Sequence, residues 1–350
     1  MLSLDTTASE TAAFIVRRAT PEQIRQAWTN NHVSWGAPDL ELDQYIQREI
    51  LLGQTPFATD RETWVLAPTD APSDTLDFVA ACETYRRPML LGDGKGGVKE
   101  GVCVSIASVF TPEQHRGKGY AGMLLTVIME MIKADETVLA STLYSEVGKT
   151  YYAKFGWDYA PSYVGTILVE SYPETNPSTP PTPILASEIA TVIWEDVDVL
   201  TEEMKTNISE TFLVLPTAEA IQWFHACADY YAPIVGKVDP PPAHLGARLP
   251  NGDFIIWQHD WIARKIMVLR LRASAPERAR DLLRVAVEEA RKYGLKKVSM
   301  WNPDDTIVSG AVEGALEVMP REDDDSLSGV WQRDGDTNPV WVANEKYAWV

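Results

Sequence analysis

The segment Gln114-His-Arg-Gly117-Lys-Gly119-Tyr-Ala121 has the residue types and spacing to hold a phosphate group. It follows the hydrophobic run VCVSIASVF at 102–110 and leads straight into YAGMLLTVIMEMI, where Ala121, Leu124, Leu125, Ile128, Met129 and Ile132 form one helical stripe. A strand that turns on glycines into a helix presents unpaired N–H groups at the positive end of the helix dipole, a site suited to a pyrophosphate. Gly117 and Gly119 let phosphate oxygens approach the backbone and let the turn take positive φ, while Arg116 and Lys118 add positive charge. The sequence contains no G-x-x-x-x-G-K-[ST], which argues against nucleotide hydrolysis, and its G-x-G-x-x-G spacing at 92–97 opens no helix, which argues against dinucleotide binding there. The glycine-rich GDGKGG at 92–97 precedes no helix and reads as a hairpin loop.

Around that turn the first half reads as mixed α/β. A helix is expected over 20–31, with Thr20 as N-cap and Pro21 at the first helical position, and a second over Leu42–Leu52. Strands are expected at Thr63–Ala67, Phe78–Arg86, Val102–Phe110 and Val138–Tyr144, and a helix at Lys149–Phe155 ended by Gly156. The proline-rich SYPETNPSTPPTP at 171–183 reads as a stiff linker between residues 1–170 and 184–350. Beyond it come two strand-like runs within Asp253–Ala273, an amphipathic helix at Pro276–Tyr293 and a strand at Lys297–Trp301. Strand pair, long helix, strand is also the order around 102–144, so a second, degenerate copy of the same fold is expected.

The 350 residues carry a net charge of −19, which argues against nucleic acid or an anionic membrane as partner and permits a cationic substrate. The N-terminus lacks a basic region and an apolar h-region, no run reaches the ~18 apolar residues of a membrane span, and a cytoplasmic location is expected. Three cysteines and five histidines without metal-ligand spacing predict neither a disulfide framework nor a metal site.

Strand–QHRGKGYA–helix resembles the acetyl-CoA signature of the GNAT superfamily, and LYSEVGKTYYAKFGW at 143–157 resembles that family's next element. The resemblance implies an α+β (mixed α/β) fold whose sheet splays open beside the glycine turn to admit the pantetheine arm of acetyl-CoA. It implies cofactor contacts from Val109, Thr111, Gln114, Arg116, Gly117, Lys118, Gly119, Tyr120 and Ala121, and Tyr152 as general acid for the departing thiolate, with Tyr151 its rival. Where many members have an asparagine, this chain reads Glu146-Val147-Gly148, which puts that pantetheine contact in doubt. CETYRR at 82–87, LYSEVGKTYY at 143–152, the proline-rich linker and DSLSGVWQ at 325–332 further resemble the fungal lysine N6-acetyltransferases, which join a GNAT domain to a C-terminal domain of their own.

The implied reaction is attack of a neutral amine on an acetyl thioester, with L-lysine as first-choice acceptor and a protein lysine, a polyamine or an amine toxin as alternatives. A catalytically silent acetyl-CoA sensor is the reading from another class. Neutralising a lysine amine of pKa about 10.4 at pH 7 costs about 4.6 kcal/mol, so a carboxylate helper is expected. Glu83 is the first candidate base, with Glu146, Glu113 and the carboxylate of Val350 as alternatives. The acceptor pocket is expected between the two halves, lined in part by tryptophans.

Overall fold

The computed structural model describes residues 13–173, 180–334 and 340–350. The first half opens with strand β1 (Phe14–Arg18) and helices α1 (Pro21–Trp35) and α2 (Leu42–Gly53). Helix α1 begins where its capping residues dictate: Thr20 Oγ1 accepts from the Gln23 amide, and the Gln23 side chain accepts from the Thr20 amide. Strands β2 (Arg61–Pro68), β3 (Ala80–Asp93) and β4 (Val98–Phe110) follow in antiparallel order. The glycine-rich loop between β3 and β4 is a hairpin closed by Asp93, whose Oδ1 accepts from the Lys95 and Gly97 amides.

Helix α3 (Tyr120–Ala134) buries Leu124, Leu125, Ile128, Met129 and Ile132 against Val104, Ile106, Val138 and Leu143 of the sheet. Each such side chain contributes about 1.5–3 kcal/mol, which fixes the helix, and with it the glycine turn, on the sheet. Next come β5 (Val138–Ser145), β6 (Asp158–Tyr159) and β7 (Tyr163–Leu168). The helix expected at Lys149–Phe155 is a single tight turn over Tyr152–Phe155, ended by Gly156 at φ 106°. Trp157 accounts for the shortening: it is 1% exposed and donates from Nε1 to Ser141 Oγ at 2.9 Å, so the chain must turn inward there.

The second half runs β8 (Thr182–Ile184), α4 (Ile189–Thr206), β9 (Glu210–Val214), α5 (Ala218–Tyr231), β10 (Gly246–Arg248), β11 (Phe254–Asp260) and β12 (Lys265–Arg272). It continues through α6 (Pro276–Lys292), β13 (Lys297–Trp301), α7 (Asp305–Gly310), β14 (Leu316–Pro320), β15 (Leu327–Gln332) and β16 (Val340–Trp341). Among the described residues these strands make two mixed sheets. The first has the order β1-β2-β3-β4-β5-β15-β6, with β9 on the far end of β3 and β16 on β9; the second is β14-β7-β13-β12-β11-β10-β8.

The division expected at 171–183 separates the sequence but not the sheets. Strand β15 lies antiparallel between β5 and β6 of the first sheet, while β7, from before the proline-rich segment, lies between β13 and β14 of the second. The segment itself ends inside β8, and its residues 174–179 lie outside the described residues. One apolar cluster likewise joins Met89, Cys103 and Leu139 of the first half to Phe212, Phe254 and Leu269 of the second. The reason is edge protection: without β15, β5 would present a bare row of backbone groups, and β13 would do so without β7.

Candidate active site

Strands β4 and β5 pair in parallel from Val102 and Val138 to Ile106 and Leu143, and then part. The divergence has a local cause in β4. Glu83 stands opposite Ala107 and Ala81 opposite Phe110, so Ser108 and Val109 together face Cys82 as a bulge, with Ser108 at φ 52°. The bulge bends β4 away and opens a cavity of about 780 Å³ lined by Ile106 through Thr111, by Leu143 and Tyr144 of β5, and by Tyr151 and Tyr152.

At one side of this opening stands the glycine turn. Gly117 and Gly119 have φ of 77° and 80°, and a Cβ at either would meet no atom within 4 Å, so both conformation and open space favour glycine. Gly119 is also the N-cap of α3 and brings no side-chain acceptor, which leaves the amides of Tyr120, Ala121 and Gly122 without partners in the helix. Arg116 donates from Nε to the Thr111 carbonyl at 3.1 Å and lies over the Phe110 ring, while Thr111 Oγ1 is buried without a hydrogen-bond partner. Of the nine residues implicated in cofactor contact, Val109, Thr111, Arg116 and Ala121 line the cavity. Gln114, Gly117, Lys118 and Gly119 are exposed on the turn, and Tyr120 packs on Phe14 and His115. His115 is only 17% exposed in its side chain and faces Asp77 at 3.5 Å. The geometry fits a pyrophosphate on free amides with an extended arm entering the splay.

Glu83 lies on β3 where the bulge passes. Its carboxylate accepts from Ser108 Oγ at 3.0 Å and stands 3.7 Å from Arg61. Burial pushes this carboxyl above its ordinary pKa, and Arg61 pulls it back. Tyr152 meets Tyr151 edge-on at 5.1 Å between ring centroids, and burial raises the pKa of both phenols. Glu146 and Val350 also line the cavity, whereas Glu113 is exposed and does not.

The remaining wall includes tryptophans, as expected, together with residues that sequence reasoning did not single out. Helix α2 supplies Tyr45, Arg48 and Glu49, and the second half supplies Trp223, Tyr231, Asp260, Trp261, Trp301 and Lys346. Two signals bear on them: the adjacent Arg48-Glu49 pair on the buried side of an amphipathic helix, and Lys346 inside the apolar run KYAWV. Trp257, by contrast, is core.

The fold and the parted strands beside a glycine turn are those of the GNAT acyltransferases, and the enzyme is an acyltransferase of that type. The chain belongs to the family described as the LYC1 GNAT-like C-terminal domain, whose model matches residues 167–350. It is 29% identical to a lysine acetyltransferase of Yarrowia lipolytica over 362 residues, covering 85% of this chain and 88% of that one. It is 24% identical to the uncharacterized protein YGR111W of Saccharomyces cerevisiae, covering 94% and 96% of the two chains. Among solved structures, a GCN5-related N-acetyltransferase from Anabaena variabilis superposes with a TM-score of 0.57 at 12% identity, over 91% of this chain and 72% of the other.

Proposed function

We propose that the protein transfers the acetyl group of acetyl-CoA to the N6-amine of free L-lysine in the cytoplasm. One observation carries the reading: a single cavity joins the open end of β4, Glu83, Tyr152 and an aromatic wall from the second half. The name of the Yarrowia lipolytica relative favours lysine as acceptor.

Acetyl-CoA supplies the activated acyl group as a thioester. The amides of Tyr120, Ala121 and Gly122, with Arg116 and Lys118, would hold its phosphates, and the chain from Ile106 in β4 to Thr111 just past it would offer backbone groups to its arm. Glu83 takes a proton from the acceptor ammonium, directly or through water. A carboxyl raised by burial is a stronger base than a free one, which suits this task. Tyr152, its phenol protonated at neutral pH, gives the proton from Oη to the leaving sulfur. The second half closes the acceptor side against water and orients the amine.

The test is release of free thiol from acetyl-CoA against a panel of amines, with the product located by mass spectrometry. Lysine should turn over and yield N6-acetyl-lysine. Tight acetyl-CoA binding without turnover of any amine would replace this reading with that of a binding protein.

A further inference from the structure

Lys346 reaches the cavity from the segment that follows β16. Its Nζ lies 3.8 Å from the ring centroid of Trp349, 4.4 Å from that of Trp301 and 5.9 Å from that of Phe224. Among the described residues it has no carboxylate within 4.0 Å. A second cation stands against the same Trp301 ring: Arg321 lies 3.9 Å from the centroid and is 2% exposed. Arg321 donates to the Ser326 carbonyl and Ser328 Oγ, its Nε is buried without a partner, and it too has no carboxylate within 4.0 Å among the described residues.

In a chain of net charge −19, a pair of cations around one tryptophan with no carboxylate in ion-pair contact is an electrostatic exception. Aromatic faces offset only part of the cost of removing an ammonium from water, about 0.5–2 kcal/mol per ring contact. The environment of Lys346 reflects the deficit. Burial and the neighbouring Lys265 and Arg321 lower its pKa to about 7, with Asp260 and Asp325 opposing. An anion arriving from the cavity would complete the site and restore full charge to the ammonium.

We propose that Lys346 binds the carboxylate of the acceptor, so that the enzyme selects amines carrying a carboxylate over diamines and polyamines. The inference rests on the amine-acetyltransferase reading above and names the group that sets its acceptor class. Asp260 and Asp325 line the same cavity and suit the α-ammonium that accompanies the carboxylate of an amino acid. A diamine would bring no anion to Lys346 and would set an ammonium where the amino acid sets its carboxylate, which disfavours it.

The experiment compares L-lysine, L-lysinamide and cadaverine at saturating acetyl-CoA, in the wild type and in Lys346→Met, which keeps an unbranched stem between the rings. The wild type should favour lysine over the other two by about 100-fold in kcat/KM, the scale of one charged hydrogen-bonded contact. Lys346→Met should raise the lysine KM by that factor with kcat little changed, leave cadaverine no worse, and be partly rescued by Lys346→Arg. A variant that keeps the lysine preference, or that loses kcat at constant KM, overturns the assignment. Equal turnover of lysine and cadaverine by the wild type overturns it too, while leaving amine acetylation in place. Acetyl-CoA binding with none of the three amines acetylated removes the underlying reading, and this one with it.

Discussion

The chain builds the same arrangement twice, an antiparallel strand pair followed by a helix and a parallel strand, and the two copies end differently. In the first, β4 and β5 part after Ile106 and a cavity opens between them. In the second, β12 and β13 pair only from Lys265 to Met267 before parting, and the chain itself fills the gap. The Leu271 amide donates to Glu345 Oε2 at 2.8 Å, and Arg270 binds both Glu345 and Asp196. The turn before the helix differs in the same sense. Gly117 and Gly119 leave bare amides before α3, whereas before α6 the Ser274 amide and hydroxyl already donate to Asp253 Oδ2 at 3.0 and 2.7 Å. One copy keeps its donors free for a ligand; the other satisfies them with its own carboxylates.

This contrast can be broken at either copy. The largest expected effect is on chemistry in the first. Tyr152→Phe should lower kcat by about 10²–10⁴ with acetyl-CoA affinity little changed, since only the transferable proton is lost. If Tyr151→Phe produces that loss instead, the acid is the neighbouring ring. Next in size is cofactor binding. Replacing Gly117 and Gly119 by leucine should weaken acetyl-CoA binding roughly 100-fold by calorimetry, because new side chains enter the space now open to phosphates. Native affinity in that variant would show that the open turn is not where the cofactor sits. The smallest effect belongs to the filled copy. Glu345→Gln should lower stability in urea unfolding by about 2 kcal/mol, by weakening the acceptors of Arg270 and the Leu271 amide. It should leave binding at one acetyl-CoA per chain; a second bound equivalent would mean that the two clefts are alike.

Much of the first copy was legible in the sequence because its signals are local. Thr20, Pro21 and Gln23 cap a helix within one turn, and the stripe from Leu124 to Ile132 needs only the helical period. Gly117 and Gly119 announce positive φ by residue type alone. That tryptophans of the second half would line the cavity was legible, but which residues meet in its far wall was not, because that depends on contacts between residues remote in the chain. Nothing near Lys346 in sequence marks Trp301 as its neighbour, and DSLSGVWQ gives no sign that it will lie against β5. Strand periodicity names a face and is silent about the partner. The proline-rich segment is silent for the same reason, since a break in composition marks a connection and says nothing about which sheet the flanking strands join.

The exchange of β7 and β15 sets a schedule for the newly made chain. Ser145 emerges from the ribosome roughly 180 residues before Leu327, its partner across the sheet. At ordinary elongation rates that interval is on the order of ten seconds or more, during which the first half exists with one border of its sheet unpaired. Neither half can reach its final form ahead of the other, so this enzyme matures as a single late event after nearly the whole chain has been synthesised. Pairings between such distant residues raise contact order and slow that event further. Until then the exposed border is a place for holding chaperones to act, and a chain interrupted before residue 327 has nothing of its own to cover it.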